Sequence, residues 1–336
     1  MAWRILGDER YLAAAKRGAD WYLKEAVAKG WYLGACGDAL NVWDFTTAFG
    51  AQTLLDLHAT TGEKKYQDAA IEVARVYATT IFTHPMPTAQ RKTLGEVERA
   101  DWEISQVGLS VEHIRGTASS GPVLLSSHAG MFVRIHELTG EQLFLDMARA
   151  AARGRHHFVN PQTGMSIYYW HSLDDAQKVW SLFPWHAEWQ IGWITDYLMA
   201  EAHLRSVGRI AFPAGFPTPK VGSHVAYGFA PGTIYGQAAT LWRGAGAITC
   251  DNPNVESFGA LRTDHRRLFI VGLNQFSQAQ QATIRIDRGQ QAMGHRLHWT
   301  ACTSIEGDGV VADGDAGTIS FTLPAWGIGV AAVDLT

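Results

Sequence analysis

Few acids of this 336-residue chain stand beside aromatic or imidazole side chains, and two of them sit where a carboxyl group could do acid–base work. Glu112, in Gly108-Leu109-Ser110-Val111-Glu112-His113, lies in a long irregular stretch directly before His113. A carboxyl beside a histidine, in a loop that enters a cavity, suits a proton donor of raised pKa; the same pattern also reads as a surface turn. Asp44, in Trp43-Asp44-Phe45-Thr46-Thr47, stands behind an indole and immediately before a helix. Aspartate is favoured at the N-cap, so Asp44 reads as a cap, as a base, or as both.

Aromatic and basic groups accompany the two acids. Pro184-Trp185-His186-Ala187-Glu188-Trp189-Gln190 opens a helix in which Trp185 and Trp189, four apart, share a face. They form a wall of two indoles with His186 and Gln190 as a parallel polar strip, or else they pack into the core. Tyr168-Tyr169-Trp170-His171 sits in a loop where the aromatics are open to solvent. His128, in Ser126-Ser127-His128-Ala129-Gly130-Met131, falls within an apolar helix, where a satisfied core role competes with a role in the site. Arg134, further along, could grip a substrate carboxylate bidentately or pair with Glu137. The chain holds 13 Trp. An indole offers a flat apolar face and one donor, which suits the C–H faces and hydroxyls of sugars; core packing is the plainer alternative.

Elements that could hold these groups follow from periodicity. Three corners recur with the same spacing: Gly7-Asp8-Glu9-Arg10-Tyr11, Gly62-Glu63-Lys64-Lys65-Tyr66 and Gly140-Glu141-Gln142-Leu143-Phe144. In each, glycine can take the left-handed conformation that ends a helix. The acid meets the positive end of the next helix, and the aromatic follows three residues later. This is the mark of stacked antiparallel helix hairpins. The pattern predicts helices over residues 8–28, 45–60, 64–82, 122–138, 141–158 and 185–206, with long loops at 84–118 and 165–184. Beyond a stiff Pro/Gly linker at 212–219, short alternating apolar runs separated by polar turns such as Asp308-Gly309 and Asp313-Gly314-Asp315 predict an antiparallel β-sandwich. The expected division is a helical domain over residues 1–210 and a linker with β-sandwich over 211–336. The first corner has only six residues ahead of it, which leads us to expect a missing N-terminal segment, or a partner chain, that completes the helical ring.

Bulk properties exclude several classes. A composition of 47% hydrophobic and 18% charged residues supports a real core, and a net charge of −4 argues against nucleic acid as a partner. No apolar run approaches the roughly 18 residues a membrane span needs. Three cysteines far apart suggest neither a disulfide framework nor a metal site. No HExxH pattern, P-loop or GxGxxG after a strand is present, so no metal or cofactor is expected. The N-terminal residues lack the apolar stretch of a signal peptide, which fits a cytoplasmic protein, or a periplasmic or secreted one if the chain is truncated.

The three corners, the Ala-rich helix after each and the appended β-run resemble the six-hairpin glycosidase superfamily. The resemblance implies a multidomain chain: an (α/α) toroid, here partial with about six helices, followed by an antiparallel β-sandwich. It also implies a carbohydrate substrate and a glycoside hydrolase of the kind that degrades bacterial or plant polysaccharide, acting on a substrate that could contain uronic acid. Such enzymes use two carboxyl groups about 5–5.5 Å apart when retaining and roughly 6.5–9.5 Å apart when inverting. On this reading Glu112 is the general acid and Asp44 the base or nucleophile. Trp43, His113, His128, Arg134, Tyr169, Trp170, Trp185, His186 and Trp189 then bind substrate. Two alternatives stand beside it: a polysaccharide lyase using Tyr169 with His128 or His113 for β-elimination, and a non-catalytic glycan-binding or assembly module.

Overall fold

The computed structural model describes residues 2–32, 34, 43–94, 97–101, 105–111, 124–154, 187–217, 225–227, 230–242, 247–287, 291–292, 295–296 and 299–335. The chain divides into two compact units, Met1–Ala200 with Phe216–Ala226, and Glu201–Gly215 with Tyr227–Thr336. Helices fill the N-terminal half and antiparallel strands the C-terminal half.

Seven α-helices lie among the described residues: α1 Ala2–Leu6, α2 Glu9–Glu25, α3 Phe45–Thr61, α4 Lys64–Ala78, α5 Ala129–Thr139, α6 Gln142–Gly154 and α7 Ala187–Arg205. The seventh, against about six expected, is α1: residues ahead of Gly7 form a short helix of their own. Gly7, Gly62 and Gly140 each have φ near +70°. Each donates its N–H to the carbonyl four residues back, on Trp3, His58 and His136, at 2.7–2.8 Å. Two corners share a further device. Thr61 and Thr139 accept the N–H of Glu63 and Glu141 at 3.2 and 3.1 Å, and His58 and His136 donate Nδ1–H to the carbonyls of those acids at 3.2 and 3.0 Å. The repeated phrase is therefore His-x-x-Thr-Gly-Glu. It satisfies the backbone groups that a helix end leaves open. A fourth corner follows α7, where Gly208 donates to His203 and the His203 ring meets the Ile210 carbonyl at 3.1 Å.

The helices of the first unit stand in two rows. α3 packs on α4, and α5 on α6. Side chains join the first helix of each hairpin to the next: Arg4 of α1 reaches Thr60 of α3 at 2.8 Å, and Arg134 of α5 reaches Gln52 of α3 and Asp196 of α7. The second helices are joined by Lys65 and Tyr66 of α4 to Asp20 of α2, and by Arg75 of α4 to the corner acid Glu141.

Several expected boundaries move. The helix expected over 122–138 begins at Ala129, because Leu124–Leu125 pair as a strand with Ser110–Val111. The loop expected over 84–118 contains a hairpin, Arg91–Leu94 with Val97–Ala100. Within the expected linker, Ala214–Pro217 is a strand paired with Val225–Tyr227.

In the second unit a seven-stranded antiparallel sheet runs in the order Trp299–Glu306, Ile328–Leu335, Arg267–Asn274, Val255–Arg262, Gln237–Trp242, Gly232–Ile234, Ile210–Ala211. A four-stranded sheet is ordered Ile248–Cys250, Gln280–Ile286, Thr318–Leu323, Asp308–Asp313. One core holds Leu268, Ile270 and Val333 of the larger sheet together with Ile284, Ile319 and Phe321 of the smaller. Alternation of inward and outward residues, as in Gln280–Ile286, is what lets each strand face that core. Asp308-Gly309, expected as a turn, lies in a strand; the chain reverses after Asp313 instead.

Candidate active site

The candidate site is built at the N-terminal ends of α3 and α5. Asp44 caps α3: its Oδ1 accepts from the Thr46 N–H at 2.9 Å and from the Thr46 hydroxyl at 2.7 Å, and the residue is fully buried. Trp43, directly before it, is 43% exposed. Tyr77, near the end of α4, is fully buried and lies within electrostatic reach of Asp44. Burial, with a smaller contribution from the Asp44 charge, pushes the Tyr77 phenol above its ordinary range.

The Tyr77 hydroxyl is 3.3 Å from Nδ1 of His128, whose Nε2 is 2.8 Å from the Gly108 carbonyl. A carbonyl only accepts, so Nε2 carries the hydrogen and Nδ1 takes the one from Tyr77. His128 is the residue before α5 rather than part of its middle, and it is fully buried among Tyr77 and Phe132. Burial lowers its pKa to about 4, so the imidazole is neutral. Two buried hydroxyls nearby in sequence to the caps, Thr47 and Ser127, have no hydrogen-bond partner among the described residues.

The segment that leads to Glu112 is pinned on three sides. Gly108 and Leu109 exchange backbone hydrogen bonds with Phe82 at 2.8 and 2.9 Å. Gly108 receives His128. It also lies against α6 so closely that a Cβ would come within 2.4 Å of the backbone of Ala150 and Ala151, at a φ of +88°. Ser110, whose hydroxyl is 2.8 Å from Thr80 Oγ1, then carries the chain to Val111, the residue before Glu112. Gly108→Ala should therefore lose about 1–3 kcal/mol to overpacking, beyond the roughly 1–2 kcal/mol that a left-handed non-glycine costs. Gly62→Ala, where φ is +72° and nothing lies within 4 Å, carries only the second cost, and urea unfolding of the two variants separates them.

Other expected site residues distribute unevenly. Arg134, expected to grip a substrate carboxylate or to pair with Glu137, reaches across to α7 and α3. Both of its terminal nitrogens lie 2.9 Å from Asp196 carboxylate oxygens, and one also donates to Gln52. Glu112, His113, Tyr169, Trp170, Trp185 and His186 lie outside the described residues, and Trp189 lies in α7 with its side chain outside them. Tyr77, Ser110 and Thr80 were not anticipated, since none belongs to a local pattern of acids and aromatics. No group of three or more metal-ligating side chains lies together among the described residues, and none of their helices is long and apolar enough to cross a membrane.

No family model matches this chain, and no curated protein matches it. Among solved structures, the crystal structure of CelM2, a bifunctional glucanase-xylanase protein from a metagenome library, is similar over 26% of this chain at 21% identity, with a TM-score of 0.21. The chain spans 17% of the length of that protein, and a likeness of this extent supports no statement about fold or chemistry.

Proposed function

We propose that the chain is a carbohydrate-active enzyme, specifically a glycoside hydrolase of the six-hairpin type. Its helical domain, over residues 1–210, would be part of an (α/α) toroid, with the β-sandwich over 211–336 as a separate domain. Glu112 is the general acid and Asp44 the base or nucleophile. Trp43, His113, Tyr169, Trp170, Trp185, His186 and Trp189 hold the sugar. One observation carries the reading: Asp44 is a fully buried carboxyl at the entrance of α3 whose charge reaches Tyr77, and the Tyr77 hydroxyl meets the His128 that holds Gly108, four residues before Glu112. The buried hydroxyls of Thr47 and Ser127 add two polar groups to that end of the helices.

Two expected substrate contacts become supports on this reading. Arg134 holds Asp196, so no substrate carboxylate is assigned to it. His128 has both ring nitrogens engaged, Nδ1 accepting from Tyr77 and Nε2 donating to Gly108, so an elimination reading would turn on His113 rather than on His128.

The test is turnover of an oligosaccharide panel, uronate-containing members included, by the full chain and by Asp44→Asn and Glu112→Gln. Asparagine caps a helix as well as aspartate does, so Asp44→Asn keeps the fold while removing the base. Each variant should lose about 10²-fold or more in turnover with its unfolding midpoint nearly unchanged. Full activity in either variant, binding without turnover, or an unsaturated uronate product sinks the reading.

A further inference from the structure

The second and third helix corners are each gripped by a helix of the hairpin before them, and the two grips follow one rule. At the second corner Glu63 is held by Lys16 of α2 at 2.5 Å, while Lys65 and the Tyr66 hydroxyl both donate to Asp20 of α2, at 2.6 and 3.0 Å. Lys16 and Asp20 are four apart and so share one face of α2. At the third corner Arg75 of α4 holds Glu141 in the same way. There the positions of Lys65 and Tyr66 are taken by Leu143 and Phe144, which offer no proton, and the residue four beyond Arg75 is Thr79 rather than an acid. The covering helix thus brings an acid where the corner offers donors.

At the first corner Asp8, Arg10 and Tyr11 occupy the positions of Glu63, Lys65 and Tyr66. Tyr11 is 45% exposed, where Tyr66 and Phe144 are 0% and 1%. Asp8 and Arg10 pair with each other, Nε to Oδ2 at 2.9 Å, and the Arg10 side chain is 88% exposed. Further along α2, Trp21 is 65% exposed.

We infer that the Asp8–Arg10–Tyr11 face docks the outer helix of one further hairpin of this stack. That helix is amphipathic. It carries a Lys or Arg opposite Asp8 and, four residues on, an Asp or Glu that receives Arg10 and the Tyr11 hydroxyl; apolar side chains beside them cover the Tyr11 ring. A second copy of this chain does not supply it through α2, because Lys16 and Asp20 are already held by Glu63, Lys65 and Tyr66.

A tethered duplicate of residues 2–29, joined ahead of the full chain by a Gly/Ser linker, tests this, because it carries a second Lys16–Asp20 pair. The tether holds that pair at an effective concentration in the millimolar range. Hydrogen-exchange protection of the original α2 should rise about tenfold or more over the untethered chain. Arg10→Glu or Tyr11→Ser in the original chain should abolish the gain, as should Lys16→Glu in the added copy. Combining that last change with Asp8→Lys in the original chain should restore it, each variant being compared with its own untethered form. Unchanged protection, or a gain indifferent to these substitutions, overturns the inference.

Discussion

An Arg134→Met variant is expected to lose about 3–5 kcal/mol of unfolding free energy at neutral pH, the cost of leaving a buried carboxylate without its bidentate partner. Arg134 stands between α3 and α7. Its guanidinium lies 2.9 Å from each Asp196 oxygen and donates to Gln52, which in turn donates to Asp56 at 3.1 Å. Asp196 of α7 is 5% exposed and packs so closely against α5 that a Cβ at Gly130 would come within 2.2 Å of its Oδ2. Burial raises the Asp56 pKa, and the Arg134 charge opposes that rise. Removing the charge raises it further. A carboxyl whose folded pKa exceeds its unfolded one favours the folded state at low pH and loses that advantage as pH rises through the folded value. The deficit of Arg134→Met should therefore shrink as pH falls below the folded pKa of Asp56. Urea unfolding across that range checks both magnitude and sign. A deficit under about 1 kcal/mol at neutral pH, typical of an exposed pair, would show that Arg134 does not join the row.

The architecture was legible where a signal repeats in short range. Three glycine corners located the hairpins, and period-2 runs located Arg267–Asn274, Gln280–Ile286 and Thr318–Leu323. Even there half of the corner went unread: the His and Thr of His58-x-x-Thr61-Gly62-Glu63 recur at His136 and Thr139, a spacing visible in the sequence that no acid or aromatic flags. Where partners are distant, periodicity misleads. Pro122-Val123-Leu124-Leu125 reads as a helix start, but residues 124–125 are claimed by Ser110–Val111, which moves His128 from mid-helix to the helix entrance. Asp196, which Arg134 meets with both terminal nitrogens, lies 62 residues away, beyond what local spacing can offer. Asp44 was legible as a cap, because aspartate directly before a helix is a favoured N-cap. Tyr77, which meets His128, was not, since a tyrosine inside a helix announces nothing until another segment meets it.

Acid should reach the same cluster through His128. In the unfolded chain an imidazole titrates near 6.5. In the fold, burial beside Tyr77 and Phe132 lowers it to about 4, against the opposing pull of the Gly108 carbonyl. Below pH 6.5 the unfolded chain takes up a proton that the folded chain refuses until about pH 4. The His128 contribution is thus whole above 6.5 and drains away between 6.5 and 4, a loss of about 3 kcal/mol at one proton and 1.36 kcal/mol per unit. A His128→Gln variant should be less stable at pH 7, because the Gly108 carbonyl and the Tyr77 hydroxyl lose a fitted partner, by about 1–3 kcal/mol. Its stability should then fall less steeply on acidification. The carboxylates that also titrate, Asp20 and Asp101 among those with lowered values, are common to both proteins and cancel in the difference. Helical ellipticity against urea at pH 7, 5.5 and 4.5 gives that difference, and parallel curves would mean the imidazole is not sealed.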